Sequence, residues 1–273
     1  MSQYYKKKRY PSCISYRKWQ KVKELFPRSK SGSSKGGRPP VDLYSVVNGI
    51  FYVLKTGCSW ASLPNDFPNY QTVYGYFRRW QADGVWQKVQ TVLVSRERKR
   101  VHKKATPTGA CLDSQSVKTT AIGGEARGVD GGKKIKGRKR FILTDTLGLL
   151  LAVIVCAANT SEKKGAKLLL QRCKDQPCLA FLVGNIQKVW VDGGFRGSDL
   201  LDFVTKLWGW LWEITLRSDK TVNFQVLPKR WVVERTFAWF NHSRRLSKDY
   251  EKTTASSEAM VQIAMIRLLI NRF

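Results

Sequence analysis

Histidine is scarce in this chain: His102 and His242 are the only two in 273 residues. A histidine general base is therefore a poor foundation for its chemistry. Metal-ligand spacing of the zinc kind is missing too. Six cysteines (Cys13, Cys58, Cys111, Cys156, Cys173, Cys178) are scattered without a Cys-x-x-Cys pair, so reduced, partly buried thiols are expected and a structural zinc site is not. Long apolar runs are lacking. "LGLLLAVIVCAA" and "AMVQIAMIRLLI" fall short of the roughly 20 residues that span a bilayer. The basic start "MSQYYKKKRYPS" has no apolar h-region, and a cytoplasmic protein is expected. No internal repeat is visible. Acids are few, 20 against 49 Lys and Arg, for a net charge of +29.

What is present is ample for a core: 42% apolar residues and 12% aromatics. The length suits one large domain, or a catalytic domain with a small companion. An excess of cations this large favours an anionic membrane or nucleic acid as partner, and the short apolar runs favour nucleic acid.

Residues 1–40 are basic and turn-rich, with a short helical pattern around Ser15–Phe26 and then "PRSKSGSSKGGRPP". That run is an exposed linker, or an arm that lays Arg38 into a minor groove. Residues 41–104 are helical. Asp42 caps a helix that Gly57 ends, Asn69 caps a second over "YQTVYGYFRRWQ", and a third runs from about Val85 to Arg98. The arrangement resembles a helix-turn-helix module, with Gln71, Thr72, Tyr74, Arg78 and Arg79 suited to phosphates and base edges. A small bundle that merely packs on its neighbour is the alternative.

From residue 105 to 273 the period changes. "GACLDSQSVKTT" is a strand, and "GGEARGVDGGKKIKGRKR" is a basic, Gly-rich loop. "RFILTD" and "LLLAVIVCAA" form a hairpin. A helix follows over Ser161–Lys174, then the strand "KVWVD", the helix "SDLLDFVTKL", the strand "WLWEITLR", a Trp-rich helix and a final apolar helix. Strand, hairpin, helix, strand, helix, strand, helix is the order of the RNase H-like α/β fold: a mixed sheet flanked by helices, with the first strand central.

Three acids occupy telling places in that order: Asp113 and Asp192, each ending an apolar run, and Glu234 on the Trp-rich helix. Acids set in apolar surroundings need a positive partner. Ion pairs with Arg or Lys would supply one, and so would a pair of divalent cations. Phosphodiester chemistry suits two ions about 3.5–4 Å apart that clamp the attacking and leaving oxygens. Mg2+ wants hard oxygen ligands, with Mn2+ a substitute. Asp145, in the hairpin turn, is expected to bond its own backbone. On the Trp-rich helix Arg230, Glu234, Asn241 and Arg245 recur on one face. Trp231 is a stacking residue or, like Phe237, Trp239 and Phe240, core. The basic stretches Arg96–Lys104, Lys133–Arg140 (Lys133, Lys134, Lys136, Arg138, Lys139, Arg140) and Lys229–Lys252 (with Arg244 and Arg245) are expected to line a DNA path.

Long blocks of the chain resemble the DDE transposases of bacterial insertion sequences, the branch called insertion-sequence family five. They include "GCSWASLPNDFPNYQTVYGYFRRWQADGVW", "LDSQSVKTT", "GGKKIKGRKRFILTDTLGLLLAVIV", "VDGGFRG" and "RWVVERTFAWFNHSRRLSKDYE". The resemblance implies that Asp113, Asp192 and Glu234 are the catalytic, metal-binding triad. It also implies Mg2+-dependent cleavage at the ends of the element, transfer of the 3′ ends into target DNA, and assembly of a dimer or larger complex on DNA. Relatives carry Tyr-x2-Arg-x3-Glu-x6-Lys around the glutamate. Here Arg230 and Glu234 match, whereas Leu227 and Asn241 replace the Tyr and Lys; Arg244 or Arg245 is the candidate for the missing charge. The interval 193–233 has no room for the large insertion domain of some relatives. Two other functions stay open: a nuclease of the same fold that never joins strands, and a transposon-derived DNA-binding protein without catalysis.

Overall fold

A computed structural model describes residues 10–27, 40–215 and 230–273. The Asp42 carboxylate accepts the Tyr44 and Ser45 N–H groups at 3.3 and 2.9 Å and starts α2 (Leu43–Thr56). Gly57 ends that helix at φ 75°, a left-handed conformation that glycine adopts without a Cβ penalty. Asn69 caps α3 (Tyr70–Ala82) through the Gln71 N–H at 2.9 Å, and α4 (Val85–Arg100) follows Gly84. The pattern at Ser15–Phe26 is not one helix. It divides into α1 (Tyr16–Gln20) and a 3-10 turn at Lys23–Leu25, yet still buries Ile14, Trp19, Val22 and Phe26.

The sheet has six strands: β1 (Gly109–Lys118), β2 (Gly128–Asp130), β3 (Ile135–Asp145), β4 (Leu150–Ala157), β5 (Lys188–Val191) and β6 (Leu211–Ile214). β1 is central. It pairs antiparallel with β3 along nine positions, from Ala110↔Asp145 to Lys118↔Gly137. On its other side it pairs parallel with β5, which pairs parallel with β6. β4 and the short β2 share the far edge of β3. This is the RNase H-like strand order that the element sequence predicts. The helices α5 (Glu162–Asp175), α6 (Pro177–Val183), α7 (Ser198–Trp208), α8 (Arg230–Asn241) and α9 (Thr254–Arg272) complete the fold. α6, which no clear period announces, is started by a proline in its first turn.

One expectation is overturned here. The predicted Gly-rich basic loop holds β2 and is strand again from Ile135 onward, because β2 pairs with residues 135–137 and β1 and β4 flank Arg138–Arg140 on both sides. Gly137 is needed at that point: a Cβ would lie 2.0 Å from the Val117 carbonyl oxygen.

A single cluster of buried side chains runs from Cys13 to Ile270. The N-terminal helices meet the sheet through α9, which packs on α4 and β4. Phe26, Trp80 and Trp86 form edge-on and tilted ring contacts 5.3–6.1 Å apart between the N-terminal turn, α3 and α4. The outer edge of β4 is closed by side chains. Gln90 Nε2 donates to the Leu150 and Leu151 carbonyls at 2.8 and 3.2 Å, and Glu258 Oε1 accepts the Val155 N–H at 2.9 Å. Cys173 is enclosed in the core, and burial pushes its thiol up to about 12. Among the described residues no helix is long and apolar enough to cross a membrane.

Candidate active site

β1 and β5 run side by side with Cys111 opposite Trp190. Two residues further along each chain stand Asp113 and Asp192, where the ladder has ended and β1 continues alone beside β3. The splay opens a cleft lined by both aspartates, by Thr215 beyond β6 and by Val233 of α8. Each aspartate is half-buried and locally braced. Asp113 Oδ1 accepts the Ser114 N–H at 2.7 Å, and Asp192 Oδ1 accepts the Gly194 N–H at 2.9 Å at the start of a 3-10 turn.

Glu234 follows Val233 on α8 and is exposed. Among the described residues no three His, Cys, Asp or Glu side chains are gathered closely enough to hold a metal ion. The structure thus brings Asp113 and Asp192 to one cleft and sets Glu234 on the adjoining helix without closing a three-carboxylate cage. The two aspartates are hard oxygen donors of the type that Mg2+ and Mn2+ prefer.

A fourth acid, which the sequence pattern does not single out, stands near the two aspartates. Glu162 opens α5, accepts the Ser114 hydroxyl at 3.4 Å and pairs with Lys139 at 3.0 Å. A Cβ on Gly194 would lie 3.1 Å from both Glu162 Cγ and Asp192 Oδ1, so glycine is what lets the 192–195 turn sit this close to α5. The only sequence signal for Glu162 is its position directly after the Ser161 cap, where a helix start favours an acid on its own account.

The family described as Transposase DDE domain matches residues 104–269, more than half of the chain. The chain belongs to the DDE transposases. Residues 14–90 also match a transposase family of the IS4/5 group. An uncharacterized 16.2 kDa protein of insertion element IS402 from Burkholderia cepacia is 32% identical over 108 residues, 38% of this chain and 72% of that protein. Two solved structures share 13% identity with this chain. A Mos1 transposase paired-end complex with left transposon end gives a TM-score of 0.24 over 68% of this chain and 62% of the other. The Mos1 mariner paired-end complex with Mn gives 0.28 over 93% and 85%.

In this transposase the basic residues divide sharply. Gln71, Tyr74, Arg78 and Arg79 are exposed along α3, with Thr72 half-buried, and Lys133, Lys134 and Lys136 are exposed ahead of and at the start of β3. Asn241 and Arg244 are exposed as well. Arg38 lies outside the described residues, and Arg230 opens α8. Trp231 is 42% exposed with the Arg235 guanidinium 4.4 Å from its ring, while Phe237 and Phe240 are core.

Five of the basic residues expected to line DNA are instead interior. Arg138 is fully buried. It pairs with Asp249 at 3.1 Å and donates to the Glu125, Glu251 and Lys252 carbonyls at 2.7–3.0 Å. Lys139 is held by Glu162, Asp130 and the Thr160 carbonyl. Arg140 donates to the Leu246 carbonyl at 2.9 Å, and burial pulls its pKa down. Arg245 does not share a helix face with Glu234, since α8 stops at Asn241. It pairs with Glu251 at 2.7 Å and donates to the Cys58 carbonyl at 2.9 Å. Burial pushes the Glu251 carboxyl up, against the pull of Arg245. Arg138, Lys139 and Arg245 are each matched by an acid inside the protein, because a lone buried charge would be far too costly. Arg98, within the Arg96–Lys104 stretch, likewise turns inward to Asp145. Asp145 also accepts the Leu147 and Leu149 N–H groups at 2.9 and 2.8 Å, as its hairpin position suggests.

Proposed function

We propose that the protein binds the terminal inverted repeats of its own insertion sequence, cleaves at the element ends and joins the 3′ ends to target DNA. The reading rests on Asp113 and Asp192 facing one cleft at the point where two parallel strands part, with the glutamate-bearing helix alongside. Asp113, Asp192 and Glu234 are the ligands we assign to a pair of Mg2+ ions, with Mn2+ as substitute. When bound, such ions stabilise the charge on the attacking and leaving oxygens of an in-line displacement. The protein's part is orientation. β1 carries Asp113, β5 leads directly into Asp192, and Glu234 completes the set when its exposed side chain, borne on a helix that stays in place, swings toward the cleft as DNA enters.

Incubating the protein with its terminal repeats, Mg2+ and a plasmid target should yield free 3′ ends followed by joined product. Ends that form but never join would favour a nuclease of the same fold. Association should weaken steeply with salt, as phosphate contacts demand. Two element ends call for two copies of the chain on DNA.

For end recognition we assign the exposed face of α3, with Lys133, Lys134, Lys136, Arg230, Trp231, Asn241 and Arg244 as further contacts. Gly75 lies within that face, one turn from Gln71 and Arg79, and a Cβ there would meet nothing within 4 Å. Glycine inside a helix costs about 1 kcal/mol relative to alanine, and no neighbour among the described residues requires it. Close approach of the α3 backbone to DNA would. Gly75→Ala is therefore expected to raise Tm by a few degrees while lowering affinity for the terminal repeats about tenfold. Equal affinity in a repeat-binding titration would remove α3 from the backbone contact.

A further inference from the structure

The two residues that follow Glu234 are both fastened to the turn between β3 and β4. Arg235 Nη2 donates to the Leu147 carbonyl at 2.9 Å, and the buried Thr236 hydroxyl lies 2.8 Å from the Gly148 carbonyl oxygen. The same hydroxyl is 3.1 Å from the Val232 carbonyl one helical turn back, so a single hydrogen is shared between turn and helix. The Arg235 guanidinium lies over the rings of both Trp231 and Trp239, 4.4 and 4.8 Å from their centroids. Two such contacts restrict its freedom. Gly148 completes the fit. Its φ is 76°, and a Cβ would lie 3.0 Å from Thr236 Oγ1 and 3.2 Å from both Arg235 Nη2 and Trp239.

The turn is itself immobilised from the other side. The Asp145 carboxylate collects the Leu147 and Leu149 N–H groups and pairs with Arg98 of α4. Asp145 also stands opposite Ala110 on β1, three residues before Asp113. A short rigid path therefore joins the strand that carries one acid to the helix that carries another. Successive helical residues are about 100° apart around the axis. Holding Thr236 against the turn consequently aims Glu234 away from the core and sets its height along α8.

We propose that Arg235 and Thr236 are positioning residues: clamped on the β3–β4 turn, they fix where Glu234 stands relative to Asp113 and Asp192. The inference rests on the assignment of Glu234 as a metal ligand. Its test separates the two claims by reading ion binding as well as cleavage. In the full chain, Thr236→Val removes the hydroxyl at nearly constant shape and Thr236→Ser keeps it. Mn2+ affinity should fall at least fivefold in Thr236→Val and in Glu234→Gln, and stay at the wild-type level in Thr236→Ser. Single-turnover cleavage of end DNA should fall about tenfold in Thr236→Val, with the half-saturating Mg2+ concentration raised and DNA affinity measured without divalent ions unchanged. Normal Mn2+ binding and cleavage in Thr236→Val beside a weakened Glu234→Gln would overturn the clamp and leave the metal assignment standing. Equal loss in Thr236→Ser would show that packing, not the hydroxyl, matters, and would also overturn it. Unaltered Mn2+ binding in Glu234→Gln would bring down the assignment and the clamp together.

Discussion

Replacing Asp113 with Asn is expected to reduce end cleavage by about a thousandfold or more, since a lost metal ligand removes several kcal/mol of transition-state stabilisation. Binding to the terminal repeats should be equal to wild type or tighter. The substitution is close to isosteric. β1 keeps its pairing of residue 113 with Ile142, and the amide oxygen can still accept the Ser114 N–H that the carboxylate now holds. What disappears is one negative charge at the cleft, which weakens cation binding and eases the approach of a polyanion. Gel-shift and cleavage assays on the same preparation separate the two effects. Cleavage at the wild-type rate would refute the role given to Asp113, and with it the reading of the cleft as the reaction centre.

A second large effect concerns stability. Arg138→Met should cost about 3–5 kcal/mol, because it strips the partner from a buried carboxylate. For a chain of this size that corresponds to a fall in Tm of about 10 °C. Arg138 and Asp249 have side chains 0% and 1% exposed, and the same guanidinium ties together three backbone carbonyls from the 125 and 251–252 segments. Methionine fills the volume and meets none of these needs. Lys136→Ala, two residues earlier and exposed, should do the reverse: normal melting and weaker, less salt-sensitive DNA binding. If Arg138→Met melts normally and loses only DNA affinity, the residue belongs to the nucleic-acid surface after all.

That contrast shows where sequence reasoning reaches and where it stops. Local signals were faithful. Asp42, Asn69 and Ser161 cap the helices they precede, Gly57 stops α2, and the turn at 145–148 joins two apolar strands, since each depends on residues within a few positions. The strand order also followed from the succession of elements. The fate of Arg138, Lys139 and Arg140 did not. A run of cations beside glycines reads as solvated loop until the fold brings Asp249, more than a hundred residues downstream, to Arg138 and brings Glu162 to Lys139. Glu162 was invisible for a related reason: it neighbours Asp192 only because α5 packs closely enough for a Cβ on Gly165 to strike the Phe141 ring. At the cleft, the sequence pointed to three acids as a set. The structure gathers two of them and leaves the third on the next helix.

The sealed flank of β4 limits how copies of this chain can meet. With the Leu150, Leu151 and Val155 backbone groups already engaged by Gln90 and Glu258, a neighbouring protomer finds no ready template there for strand-to-strand joining. Under the proposed pairing of two copies at opposite transposon termini, that side of the sheet is therefore expected to stay out of the junction, which leaves helices, loops, the opposite sheet edge or the duplex itself to yoke them.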